Sequence, residues 1–249
     1  MNAGASPTLG VVDAAGAAAT AVYRLPVARS ARALARGWLW LGLAALVCSG
    51  LFSVLLVLAR TPGINAALPG VDIFRTALVV HVDLSVLVWF IAMAGMLWNL
   101  SGPRSGERWA WVALFAAAAA TAMMVLAPFV DPGVPVMANY IPIIESRLFL
   151  AGLALLGMAA TLLVARALIT AQRCSGALDG AMALRFGLSG AAISTGVALL
   201  AFLLSLAQVP AALDGRAYWE VLFWGGGHAL QYTWTLLLLV AWPCLAQAV

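Results

Sequence analysis

Two histidines stand inside long apolar runs of this sequence, and their residue type suits the binding of a metal or a haem iron. His81 lies in a run that begins near Ile73, and His228 lies in a run that continues to Pro243. A polar side chain within a bilayer is costly, so an intramembrane histidine is a candidate functional residue. Neutral imidazole is a common ligand for copper and for haem iron. The two histidines are therefore candidate ligands.

The residues around His228 indicate what kind of site it could form. Tyr232 follows it by four residues, and three glycines, Gly225, Gly226 and Gly227, precede it. On a helix, positions i and i+4 share a face, with Cβ atoms roughly 5–6 Å apart. The glycines remove side-chain bulk, so a neighbouring backbone or a flat prosthetic group can approach closely. The alternative interpretation is a packing histidine that is hydrogen-bonded to another helix.

This stretch resembles the sixth transmembrane helix of the haem–copper oxidase catalytic subunit, subunit I of the cytochrome c oxidase family. The family pattern is roughly Leu-Phe-Trp-x-x-Gly-His-Pro-x-Val-Tyr. The chain matches it at Leu222, Phe223, Trp224, Gly227, His228 and Tyr232. The resemblance implies that His228 ligates the copper ion CuB. It also implies that Tyr232 is the active-site tyrosine, bonded to that histidine, which supplies an electron and a proton for O–O cleavage.

The match has two departures from the family pattern. Ala229 replaces the usual proline, and Leu230 stands where many members carry a proton-channel glutamate. The resemblance therefore does not extend to that proton route.

His81 carries a second, weaker resemblance to the same family. The segment from Phe74 to His81 looks like the start of the family's second helix, in which a histidine is an axial ligand of the low-spin haem. His81 lies about eight residues into its run and His228 about ten into its own, so both lie roughly 12–15 Å below the same boundary at 1.5 Å per residue. Equal depth favours one cofactor layer over two unrelated packing histidines.

Asp83 is an acid within the same run as His81 and matches nothing in the family pattern. It lies two residues from His81, about 200° round the helix, and cannot share its target. An aspartate near mid-membrane is expected to be protonated or paired. A proton path and an interhelical hydrogen bond are both open, and the second is favoured.

The composition is that of a polytopic membrane protein. The 249 residues are 65% hydrophobic and only 9% charged, with a mean hydropathy of +1.04. The pI of about 9.4 comes from arginines beside the apolar runs and gives no reason to expect nucleic acid. The three cysteines, Cys48, Cys174 and Cys244, are far apart and form neither a metal spacing nor a disulfide framework.

The apolar runs predict an all-α bundle of six transmembrane helices, because spanning a bilayer takes about 20 apolar residues. Residues 1–37 are predicted to be a cytoplasmic amino-terminal tail, and 38–249 the six-helix domain. The six runs are about Trp38–Ala59, Ile73–Trp98, Trp109–Val130, Ile143–Ile169, Leu184–Ala207 and Tyr218–Ala246.

Arginine placement predicts the orientation. With the amino terminus inside, nine arginines fall in inner segments and four in outer ones. We therefore expect a multi-pass protein of the inner (cytoplasmic) membrane of a bacterium, with both termini cytoplasmic. Four tryptophans near run ends are expected to be interfacial anchors: Trp38, Trp109, Trp111 and Trp219.

The resemblance covers about half of the family's catalytic subunit, which has at least twelve helices and six ligating histidines. Two of those ligands correspond to His81 and His228. The chain thus corresponds to the amino-terminal half, and a carboxy-terminal half or a second polypeptide is expected to supply the rest. By itself the chain is not expected to reduce oxygen.

The resemblance also implies the cofactors and partners of the complete enzyme. The cofactors are low-spin haem, high-spin haem in the complete subunit, and the copper ion CuB. The partners are other oxidase subunits, cytochrome c or quinol as electron donor, O2 and the lipid bilayer, with no nucleic acid.

Two other functions are compatible with the residues. One is a small-molecule or ion transporter that uses His81, Asp83 and His228 as polar sites. The other is a non-catalytic membrane subunit of a redox complex. A haem spectrum distinguishes these from the oxidase interpretation.

Overall fold

The computed structural model describes residues 22–23, 27, 29–63, 72–102, 105–171, 179–210 and 212–247. Within these ranges, six helices are long and apolar enough to cross a membrane. They are α1 (Arg29–Ala59), α2 (Ile73–Ser101), α3 (Glu107–Val130), α4 (Arg147–Ile169), α5 (Gly180–Gln208) and α6 (Gly215–Ala246). The prediction of an all-α, six-helix membrane bundle is confirmed.

Several helix starts differ from the sequence-based bounds, that of α1 the most. Helix α1 begins at Arg29, within the segment predicted to be a tail, because the Ala- and Arg-rich residues before Trp38 continue the same helix. Most of residues 1–28 lies outside the described residues. Helix α4 begins at Arg147 rather than near Ile143, since Ser146 caps it by accepting a hydrogen bond from the Phe149 amide at 3.1 Å.

Consecutive helices pack as three antiparallel hairpins: α1 with α2, α3 with α4, and α5 with α6. An even number of crossings returns the chain to the side on which it began. The structure shows this directly, because the Tyr23 amide donates a hydrogen bond to Oε1 of Gln247 at 2.7 Å. The residues before α1 and after α6 therefore lie on the same side of the bundle.

Trp38 is a core residue, not an interfacial anchor. It has no exposed surface, and its ring lies directly on Gly95 of α2, where a Cβ would overlap it. The anchor prediction for Trp38 is wrong because glycine on the facing helix creates a slot for the indole. Trp109, by contrast, is 62% exposed.

Helix α2 contains a π-helical segment, Asp83–Val88, between α-helical Ile73–Val82 and Trp89–Ser101. It begins two residues after His81. The His81 carbonyl accepts hydrogen bonds from the hydroxyls of Ser85 at 2.7 Å and Ser49 at 2.9 Å. Such π segments occur frequently at functional sites. The helix is thus irregular where its candidate ligand lies.

A small β-ribbon covers the end of the bundle at which α6 begins. Strand β1 (Val134–Val136) pairs antiparallel with β2 (Ile143–Glu145). The indole of Trp219 donates a hydrogen bond to the Glu145 carboxylate at 2.9 Å, which ties the ribbon to α6. The connection between the strands carries Tyr140 towards the membrane part of α6.

Candidate functional site

His81 is held against α1 through one ring nitrogen. Its Nδ1 lies 2.9 Å from both the carbonyl oxygen and the hydroxyl of Ser49. The single hydroxyl proton of Ser49 is donated to the His81 carbonyl, and a carbonyl oxygen only accepts, so Nδ1 carries the proton. Nε2 is then the basic nitrogen of His81, and it makes no hydrogen bond to a described residue.

His228 has the same tautomer by the same reasoning. Its Nδ1 lies 2.9 Å from the carbonyl oxygen of Trp224, one turn earlier on α6, and must donate to it. Nε2 is therefore the acceptor, and the hydroxyl of Tyr140 donates to it at 2.7 Å. The imidazole is exposed and stands between two aromatic rings, with centroids at 4.7 Å (Tyr140) and 4.9 Å (Trp224).

Tyr140 reaches His228 in an unusual backbone conformation. Its φ of +68° makes it the sole described non-glycine residue in the left-handed region. A left-handed conformation costs a side-chain-bearing residue roughly 1–2 kcal/mol, so surrounding contacts must hold it. Three contacts hold it: the hydrogen bond that ties the ribbon to α6, the hydrogen bond to His228 and an edge contact with Trp224.

The glycines before His228 make room for aromatic side chains of this chain. A Cβ at Gly227 would overlap the Tyr140 ring, and one at Gly226 would overlap the Phe202 ring. At Gly225 the nearest atom is the Ala201 Cβ, at an ordinary 3.9 Å. The close approach predicted for a backbone or flat prosthetic group is thus made by Tyr140 and Phe202.

Tyr232 lies one turn beyond His228 on the outward face of α6. It is 70% exposed, and its hydroxyl makes no hydrogen bond within the described part of the chain. The tyrosine that contacts His228 in this structure is Tyr140. Sequence analysis missed it because 88 positions separate the partners and no motif marks it.

A cavity of about 490 Å³ opens beside His228, between α2 and α6. Val82 and Val86 line one wall, and Tyr140, Trp224 and Gln231 line the other. The lining residues include neither His81 nor His228.

The heights of the two histidines along their helices can be compared through a ring contact between α2 and α6. The rings of Phe90 on α2 and Trp234 on α6 stack at 5.1 Å and so mark a common level. His81 precedes Phe90 by nine residues and His228 precedes Trp234 by six. At 1.5 Å per residue, the two histidines differ in height by about 5 Å.

Asp83 is 1% exposed, and neither of its carboxyl oxygens has a hydrogen-bond partner among the described residues. The interhelical hydrogen bond favoured from the sequence is therefore not made there. The hydroxyl of Ser85, two residues on, is committed to the carbonyls of His81 and Val82. Within the part of the chain that the structure describes, Asp83 is therefore a buried polar group without a hydrogen-bond partner.

The described residues do not bring three metal-ligating side chains together. His81 and His228 each offer one basic nitrogen from separate helices. Ser49, which orients His81, was also missed, because a serine within an apolar run gives no signal of its partner. A metal at either histidine requires ligands from outside the described residues.

Comparison with known proteins gives relatives but no family. The chain is 27% identical, over 254 aligned positions, to an uncharacterized protein of Rickettsia prowazekii (strain Madrid E), RP382, covering 87% of this chain and 47% of that protein. It is 29% identical over 211 positions to an uncharacterized protein of Aquifex aeolicus (strain VF5), covering 84% and 53%. The chain spans about half the length of these curated relatives. No protein-family model and no solved structure matches it.

Proposed function

We propose that this chain is the amino-terminal half of a haem–copper oxidase-type catalytic subunit in a bacterial inner membrane. In this proposal His81 is an axial ligand of a low-spin haem, His228 is one ligand of CuB, and Tyr232 is the active-site tyrosine. The electron donor is cytochrome c or a quinol, and the acceptor is O2. The remaining ligands come from the other half of the subunit or from a second polypeptide.

The matched tautomers of the two histidines are the observation that carries the proposal. In metal sites, a ligating histidine almost always donates its other ring N–H to a carbonyl, carboxylate or water, which fixes the ring and its tautomer. His81 does this to Ser49 and His228 does it to the Trp224 carbonyl. In both rings Nε2 is therefore the nitrogen with a lone pair, which in His228 now accepts from the Tyr140 hydroxyl.

His81 fits the role of a haem ligand on its own contacts. Its ring is half-buried and fixed by α1, and Nε2 has no hydrogen bond to a described residue that an iron would need to break. The Ser49 contacts hold the imidazole in one orientation.

His228 fits a copper ligand once Tyr140 is displaced. The Tyr140 hydroxyl now occupies the lone pair of Nε2, so metal binding through that atom requires the hydroxyl to move away. The exposed face of α6, with Trp224, His228 and Tyr232, is the surface that the missing helices would cover. When bound, the haem and copper supply the redox chemistry of dioxygen reduction.

Cofactor content of the intact polypeptide, expressed from its own gene, tests the proposal. We expect His81→Ala to remove the low-spin haem and His228→Ala to remove copper while the low-spin haem stays. Tyr140→Phe is the matched control for His228, since it removes a competing hydrogen bond and keeps the ligand, so copper is retained. Copper content that is unchanged in His228→Ala would refute the assignment of His228.

A further inference from the structure

A second polar site lies at the arginine-rich end of the bundle, where α2 and α4 end and α5 begins. A cavity of about 40 Å³ is formed there by residues of all three helices, among them Ser101, Thr170, Arg185 and Ser189. A single water needs roughly 10–15 Å³ of such space, so the cavity has room for about three waters or one phosphate group. It lies far along the helices from His81 and His228.

Arg185 lines this cavity and brings a guanidinium group to its wall. Its Nε is fully buried and has no hydrogen-bond partner among the described residues. The hydroxyl of Ser189, one turn later on the same helix face, likewise makes no hydrogen bond within the described ranges. A guanidinium group and a hydroxyl on one wall suit an oxyanion.

A second guanidinium lies behind the cavity wall. Arg166 is 9% exposed and donates to the Asn99 side chain at 2.9 Å and to the Ser105 carbonyl at 3.2 Å. Its Nη1 is 3.4 Å from the Cβ position of Gly102, which lines the cavity. Arg166 is held in place by these contacts, and Glu107 offsets part of its positive charge.

Two of the carbonyls near the cavity already accept hydrogen bonds from hydroxyl groups. The ends of α2 and α4 carry free carbonyls, which disfavour negative charge. Here the Ser101 hydroxyl donates to the Trp98 carbonyl at 3.2 Å, and the Thr170 hydroxyl donates to the Arg166 carbonyl at 2.7 Å. The lining residues include no acid.

We propose that this cavity binds a phosphate group, and specifically the headgroup phosphodiester of an anionic phospholipid, through Arg185 and Ser189. Basic pockets between transmembrane helices on the cytoplasmic side are a recognised kind of lipid-headgroup site. The arginine bias of the chain predicts that this end faces the cytoplasmic leaflet, which carries anionic lipid. The cavity opens between helix ends, at the level of a headgroup.

Lipid binding by the full chain tests this proposal. The purified protein is placed in nanodiscs of phosphatidylcholine with a varied fraction of phosphatidylglycerol, and bound lipid is counted by native mass spectrometry. We expect Arg185→Gln to weaken phosphatidylglycerol binding about fivefold, since one arginine near the surface contributes about 1 kcal/mol. Ser189→Ala should weaken it about threefold.

Arg36→Gln is the control, because it removes the same charge from an exposed arginine of the end at which α1 begins. We expect a change of less than twofold. Arg185→Lys keeps the charge and should bind better than Arg185→Gln, provided that both variants elute as the wild type does. Equal losses for Arg36→Gln and Arg185→Gln, or no preference of the wild type for phosphatidylglycerol, would overturn the site.

A further experiment distinguishes a lipid headgroup from free phosphate as the bound group. Millimolar inorganic phosphate is added to the wild type in pure phosphatidylcholine and to the mixed nanodiscs. The proposal predicts no stabilisation in the first case and no loss of bound phosphatidylglycerol in the second. Displacement of the lipid by phosphate, abolished by Arg185→Gln, would replace the lipid assignment with a soluble-phosphate site.

Discussion

At the scale of single residues, the structure pairs His228 with Tyr140, a tyrosine that the sequence motif does not include. The hydrogen bond from Tyr140 is short, whereas the Tyr232 hydroxyl has no partner in the described ranges. A net hydrogen bond contributes about 1 kcal/mol to stability. Tyr140→Phe should therefore destabilise the protein by about that amount and Tyr232→Phe by less than about 0.5 kcal/mol. Thermal unfolding in one detergent measures both, and equal effects would contradict the pairing.

For Asp83 we predict a substitution that stabilises the protein. A buried polar group without a partner costs about 1–3 kcal/mol, so its removal should stabilise the fold. We expect Asp83→Val to unfold at a higher temperature than the wild type, and Asp83→Asn to unfold at about the same temperature because an amide is equally unpartnered. If Asp83→Val unfolds well below the wild type, the carboxyl has a stabilising partner.

The candidate ligands could be selected from the sequence, but their partners could not. His81 and His228 stand out because histidine is rare and costly in apolar runs. Ser49 and Tyr140 are ordinary residues whose importance comes from tertiary contact. The positive φ of Tyr140 is also invisible in sequence, since a turn of this kind usually employs glycine or asparagine.

At the scale of elements, the glycine run of α6 shows how one helix accepts its neighbours. Gly227→Ala should cost about 1–3 kcal/mol, because its methyl group would overlap the Tyr140 ring. Gly225→Ala, two residues away, meets only ordinary contacts and should be neutral or stabilising by up to about 1 kcal/mol through helix propensity. Comparing the unfolding temperatures of the two variants tests the packing. A Gly227→Ala protein as stable as Gly225→Ala would show that Tyr140 does not lie on Gly227.

The six helices were predictable because each apolar run exceeds the length that a bilayer requires. The β-ribbon was not, since Ile143–Glu145 continues an apolar pattern that reads equally well as helix. Trp38 was misassigned for a related reason: its position at a run end suggested the interface, and the slot made by Gly95 on another helix is not a local feature.

At the scale of the whole molecule, the arginine bias predicts which side of the membrane each connection faces. In a variant without native cysteines, Ser105→Cys should be labelled only from the cytoplasmic side and Val134→Cys only from the outside. Val134 is 64% exposed, and Ser105 is also exposed, so both sites are accessible to a membrane-impermeant maleimide. The reverse pattern would invert the orientation and move the proposed lipid site to the outer leaflet.

The central claim is that His81 is a haem ligand, and the electron paramagnetic resonance spectrum of the oxidised intact polypeptide tests it most directly. We predict a low-spin ferric signal typical of two histidine ligands, lost in His81→Ala and retained in Ser49→Ala, which keeps the backbone carbonyl that accepts from Nδ1. An intact protein without that signal, or a His81→Ala variant that keeps it, would contradict the account.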